Sequence, residues 1–325
     1  MIEIIIQQRG TGSTFNISEI VGNIEWYTDM VNSQPGFLTF DYERGDNIIP
    51  HYGDFIRFRV DGVNVFFGRV FTKNRKSHNT MNVKAYDLLK FLKNKHTYAL
   101  PSMTSTQIFR RICTDFELPF RVIDNSVHNL PAQIHDNETL FSIMNDAFDQ
   151  TIIATSHWFY LRDNFGTLEH VNINSQQTDL VIGDSSMAID YDFQGSIAED
   201  TFNRVRLTRE NQQTMRREVF IVQHGGNIST WGLLQFSDSV DENLNMAQID
   251  ARASLILTAK NRPTRTLTIT ALGDLRVRAG NGVVLILEEL RNEGFSARQR
   301  AIVCNCSHRW SNSQHLMDIE LKVVN

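Results

Sequence analysis

Cysteine is scarce in this chain: Cys113, Cys304 and Cys306 are the only three among 325 residues. Three thiols make no disulfide framework, and so low and odd a count suits a reducing compartment. Long apolar runs are lacking too. No stretch approaches the roughly 20 apolar residues that carry a helix across a bilayer, so no membrane insertion is expected. The opening MIEIIIQQRGTG is interrupted by Glu3 and is too short for a secretion signal; it reads as a strand that ends at the turn Gly10 to Gly12. Charge of one sign is also missing. The 32 Lys and Arg stand against 37 Asp and Glu, and a net charge of -5 argues against broad nucleic-acid affinity.

The motifs of common chemistries are absent as well. No G-x-S-x-G elbow, Walker A loop or Rossmann glycine pattern occurs. Asp54 and Asp274 each follow a glycine at a strand entry, where Asp bonds its own backbone. Asp241, Glu242, Glu288 and Glu289 read as solvated loops or helix starts. Cys113 falls beside Ile112 and Phe116 on a helix face and reads as core. The one metal-like spacing is Cys304, Cys306 and His308, which alternate along a strand and so share a face, with His315 available across a hairpin. Ligands about 6–7 Å apart on one strand chelate poorly, so this trio reads as buried side chains. Neither an enzyme nor a cofactor is expected.

What the sequence does hold is short alternating strands. In HYGDFIRFRVDGVNVFFGRVFTK, Ile56, Phe58 and Val60 share one face while Arg57 and Arg59 take the other. Asp61-Gly62 between the two runs favours a type I′ hairpin. A second Gly-Asp segment, ALGDLRVRAGNGVVLIL, is read as strand from Leu275 to Ala279 and on to Leu287, with Arg276 and Arg278 on its wetter face. Helical spacing is read from Ala85 to Lys95, from Thr104 to Phe116 with Ser102 or Thr104 as cap, from Asp136 or Asn137 past Phe148 with Asp136 able to cap, and from Asn243 to Lys260. A hairpin joins His157–Leu161 to Leu168–Ile173. The expected fold is α+β and predominantly β. It has a first small barrel over 1–83, an inserted α+β domain over 84–200, and a second, related barrel with a preceding helix over 201–325.

The order of these elements resembles the central hub protein of phage-type contractile tails, in the Gram-positive prophage and tail-like bacteriocin branch. That family shares its architecture with the hub part of type VI secretion spike proteins. The stretches that carry the resemblance are Pro35–Arg75, VKAYDLLKFLKNKHTYAL, DNETLFSIMNDAFDQT, FYLRDNFGTLEHVNI, NISTWGLLQFSDSVDENLN, ALGDLRVRAGNGVVL and SHRWSNSQHLMDIELKV. Cys304 and Cys306 are not part of the pattern. The resemblance implies a homotrimer that joins a sixfold tail tube to a threefold spike. Its partners would be itself, the tail tube protein, the central spike protein and other baseplate proteins. It implies assembly in a bacterial cytoplasm and residence in the baseplate of a phage or phage-like particle.

On this reading Arg57, Arg59, Arg276 and Arg278 line the channel or bridge to acidic residues of a neighbouring subunit. Two other functions are weighed against it. One is a hub-associated cell-wall hydrolase, although no catalytic segment is read before the chain ends at Asn325. The other is a carbohydrate- or receptor-binding tail module using Trp158, Trp231 and Trp310, although tryptophans more often fill cores.

Overall fold

The computed structural model describes residues 1–43, 48–75, 79–198, 200–211, 216–240, 244–311 and 314–323. The fold is predominantly β, and 13 of its strands form one sheet. The sheet divides into two series that meet where Val21–Asp29 pairs antiparallel with Gln299–Ser311.

The first series runs Val21–Asp29, Phe37–Glu43, Thr80–Tyr86, Val63–Arg75, Phe55–Val60, Ile2–Gln7 and Thr14–Asn16. Its two end strands follow one another in the chain, so the series curls back on itself as a small barrel does. In the second series, Gln299–Ser311 is flanked on one side by Gln314–Val323, Thr264–Leu272 and Ala188–Ser196. On its other side lie Gly282–Ile286 and Gln177–Gly183. Here too the outermost strands are consecutive in the chain. The expected hairpin is present: Phe55–Val60 alternates half-buried and buried residues, with Ile56, Phe58 and Val60 inward. Asp61 and Gly62 have φ of 49° and 78°, both positive, as a type I′ turn requires.

Between the two series lies an α+β layer whose helices Ser105–Asp115 and Leu140–Thr155 bury Ile108, Phe109, Ile143 and Met144. Thr104 caps the first helix in a capping box with Gln107. Two helical readings are corrected. The stretch from Ala85 to Lys95 holds only a 3-10 helix, Leu88–Lys93, because Tyr86 still belongs to a strand and Asp87 caps the turn after it. The third helix starts at Leu140 and is capped by Thr139. Residues Gln133–Thr139 instead pair with Lys95–Leu100, so Asp136 caps nothing there.

The domain boundaries differ as well. The chain separates into one unit of Met1–Asp192 with Leu267–Asn325 and a second of Phe193–Thr266. Strands 177–183 and 188–196, read as part of the insert, belong to the second series. The strands Arg204–Asn211 and Arg216–Gln223, read as second barrel, form a separate three-stranded sheet with Gln235–Ser239. Helix Met246–Lys260, capped by Asn245, covers Val205 and Leu207 of that sheet with Ile249 and Ala253. Asp241, Glu242 and Asn243 lie outside the described residues.

Candidate functional site

The strand Gln299–Ser311 places Cys304, Cys306 and His308 on one buried face, as the alternation predicts. All three fill core space. Burial pushes the Cys304 thiol up to about 12, and burial pushes Cys306 up as well. His308 is held between the Val277 carbonyl at 2.7 Å and His315 at 2.9 Å, and burial lowers it to about 4. It therefore stays neutral and spends both ring nitrogens on protein partners. Trp26 stacks on its ring, while Trp310 stacks on His315 and meets Phe58 edge-on. Trp310 is thus a core residue, and Trp158 and Trp231 are half-buried. Among the described residues no group of three or more His, Cys, Asp or Glu is arranged to hold a metal ion.

The two Gly-Asp segments are not equivalent. Asp54 is buried and accepts hydrogen bonds from the backbone N–H groups of His51 at 2.7 Å and Arg9 at 3.0 Å, so it ties the strand entry locally and also to the segment after the strand Ile2–Gln7. Arg57 and Arg59 point outward from the following strand. Arg57 donates to Gln7 at 3.0 Å, and Arg59 bonds Asn64 at 2.7 Å and faces Glu3 at 3.5 Å.

By contrast, no strand exists between Leu272 and Gly282, which corrects the placement of Arg276 and Arg278. Individual bonds pin this segment where a ladder would otherwise run. Gly273 N–H donates to His315 O, Ala279 N–H to the Thr28 hydroxyl and Gly280 N–H to Val303 O. Arg276 is exposed and bonded to Asp274, whose carboxyl that guanidinium holds below the usual carboxylate range.

Arg278 turns inward. Its Nη2 donates to the Asp163 carbonyl at 2.6 Å, its guanidinium lies 5.9 Å from the centre of the Trp26 ring, and its Nε is buried without a partner. Two buried carboxyls share this cation's surroundings. Asp87 accepts from Leu89 N–H at 3.0 Å; Asp163 accepts from Gly166 N–H at 2.9 Å and from Leu88 N–H at 3.4 Å. Burial and the neighbouring Asp163 raise Asp87 well above the ordinary carboxylate value, and burial raises Asp163 to about 6. Arg278 thus ties the 273–281 segment to the α+β layer at Asp163, while the Asp87 carboxyl, which follows the strand Thr80–Tyr86, feels its charge.

Sequence reading missed this centre because its members are far apart in the chain. The one local signal was Asp87 standing before an apolar run, in the position of a helix cap. A few residues away Glu169 is buried. Burial alone would raise it, but hydrogen bonds from Asn164, Arg121 and Arg162 hold it below the ordinary value. Glu169 with Arg121 and Arg162 is a satisfied structural ion-pair cluster of the kind that locks elements together.

The fold defines a class: two barrel-type strand series in one chain, with an α+β layer between them in sequence, is an arrangement this chain shares with solved tail proteins. The 43 kDa tail protein of prophage MuSo2 from Shewanella oneidensis superposes with a TM-score of 0.72 at 15% identity, over 99% of this chain and 98% of that one. The E. coli c3393 protein, described as a component of the type VI secretion system similar in structure to T4 tail proteins gp27 and gp5, does so with a TM-score of 0.57 at 10% identity, over 94% of this chain and 74% of its own.

The chain belongs to the YQBQ-like family, whose profile matches residues 24–322. Its relative XkdQ, a protein of the phage-like element PBSX of Bacillus subtilis, is 27% identical over 272 residues, 83% of this chain and 81% of XkdQ.

Proposed function

We propose that this protein is a structural hub of a contractile-tail baseplate, a homotrimeric adaptor between a sixfold tail tube and a threefold spike. One observation carries the reading: a single chain supplies two barrel-type strand series that share one continuous sheet. Three such chains present six similar barrels on one side while repeating only three times on the other, which is the geometry a symmetry mismatch needs. The names of XkdQ, the MuSo2 tail protein and the c3393 protein all belong to phage-like or secretion machinery and support this assignment. The partners are the chain itself, the tail tube protein, the central spike protein and other baseplate proteins, and assembly takes place in the bacterial cytoplasm.

Arg57, Arg59 and Arg276 serve as interface or channel-facing residues in this proposal. Arg278, enclosed beside Asp87 and Asp163, serves the internal joint. No reaction is assigned to the chain. Mass in solution, alone and with tube and spike proteins, followed by imaging, tests the hub. Rings of three copies are expected, and a chain that stays monomeric with both partners present overturns the proposal.

A further inference from the structure

Half-buried cations on strands Phe55–Val60, Val63–Arg75 and Thr80–Tyr86 and on the turn Leu88–Lys93 lie against aromatic rings. Arg69 is the most enclosed, since its Nε is buried without a partner among the described residues. Lys84 Nζ lies 3.6 Å from the Phe37 ring centre, Lys90 Nζ 4.8 Å from that of Tyr86, and Arg69 Cζ 5.2 Å from that of Phe55. Arg57 extends the row over Phe67. Among the described residues none of these four cations has a carboxylate within 4.0 Å. Rings position a cation and attract it without neutralising it, so the face keeps its charge while its side chains are already ordered.

The other strand series carries the opposite character. Asp179, Asp190, Asp192, Glu289 and Glu293 are exposed on residues 177–192 and 288–293. Among the described residues none of them has a Lys or Arg within 4.0 Å. Tyr191 donates to Glu289 at 2.6 Å and Glu288 N–H donates to Asp184 at 2.9 Å, so the two segments form one acidic rim.

In the order of strands, Ala188–Ser196 ends one arm of the sheet, while the cationic strands lie in the other. Two complementary surfaces at different places on one chain make a heterologous contact between copies, and such contacts close into rings when the rotation allows. We infer that the cation–aromatic face of one copy receives the acidic rim of a second copy, head to tail. The inference deepens the trimer proposed above and rests on it. A nucleic-acid strand, the other polymer that aromatic and cationic side chains suit, is disfavoured by the net charge of -5 and by the acidic rim.

Charge reversal tests the pairing on the full chain by sedimentation at 50 and 500 mM salt, with circular dichroism confirming the fold of each variant. Arg57→Glu with Lys84→Glu is expected to weaken association at least about tenfold at low salt. Asp190→Lys with Asp192→Lys is expected to do the same, and the chain carrying all four changes is expected to regain association. A wild-type trimer that ignores the reversals, or four changes that fail to restore it, overturns the pairing and leaves the hub standing. A wild-type chain that remains a monomer at every concentration and salt overturns the pairing, and one that stays monomeric with tube and spike proteins present overturns the hub as well. A labelled single-stranded oligonucleotide that binds wild type, and loses binding on Arg57→Glu with Lys84→Glu while self-association is unchanged, assigns the face to nucleic acid and overturns the pairing.

Discussion

At Asp163 two backbone N–H groups and the nearby Arg278 offset much of the cost of burying a carboxyl, yet burial still lifts its titration to about 6. A carboxyl that holds its proton more tightly when folded stabilises the fold fully below its unfolded pKa near 4, and that stability is lost as the pH rises through 6. His308 acts in the opposite sense. Lowered to about 4 by burial, it favours the fold above about 6.5 and stops doing so as the pH falls toward 4. Both trends are present in the wild type; Asp163→Asn removes the first, together with the part of the Asp87 shift that Asp163 causes, and leaves that of His308. The stability of Asp163→Asn relative to wild type is therefore expected to improve by about 2 kcal/mol between pH 4.5 and 7.5. Chemical denaturation across that range measures it, and a difference constant with pH would show that Asp163 does not titrate as described.

Single residues were legible where the effect was local. The Asp54 bond to its own strand entry, the buried alternation of Cys304, Cys306 and His308, and the outward Arg57 and Arg59 all follow from a period of two. The contrast between Arg276 and Arg278 does not, because it depends on which distant segment offers a partner.

Elements were legible to the extent that their own residues decide them. The Asp61-Gly62 hairpin and the helix capped by Thr104 form where turn and cap chemistry put them. Errors arose where an apolar spacing had to choose between helix and strand. Leu140 begins a helix, but the strand Gln133–Thr139 before it pairs with Lys95–Leu100 around a bulge between His135 and Glu138, and no local feature announces that partner. The 273–281 segment is the sharpest case, since alternating Arg and apolar residues promise a strand and side-chain bonds replace the ladder.

Gly280 shows how closely that segment is fitted. It has φ of +90°, and a Cβ there would lie 2.1 Å from the Tyr160 ring. Gly280→Ala is expected to cost about 3 kcal/mol, from backbone strain and the displaced ring together. Gly12→Ala, with φ of +72° and open space around it, is expected to cost about 1 kcal/mol. Urea unfolding of both variants separates the two contributions, and equal losses would remove the packing argument.

At the scale of the whole molecule, residues 193–266 form a compact unit of their own, inserted between two strands of the second series. Those strands, Ala188–Ser196 and Thr264–Leu272, are hydrogen-bonded neighbours, so the chain leaves and returns about 5 Å apart. Replacing residues 198–262 with a short glycine-rich turn is therefore expected to leave the rest of the chain folded, with a cooperative thermal transition within a few degrees of its original midpoint. Loss of that transition would mean that the main unit depends on the insert for its stability.

Sequence alone determined the β-rich class, the outward arginines of the first hairpin, the buried strip of Cys304 to His308 and the resemblance to tail hubs. Each of these rests on periodicity, turn chemistry or the order of elements along the chain. Tertiary structure alone decided that the two strand series share one sheet, that residues 193–266 form a compact unit of their own, and that Asp163 and Arg278 meet with Asp87 nearby. Pairing between strands and burial of a charge both depend on groups brought together from distant parts of the chain, and no local pattern encodes which distant partner will be chosen.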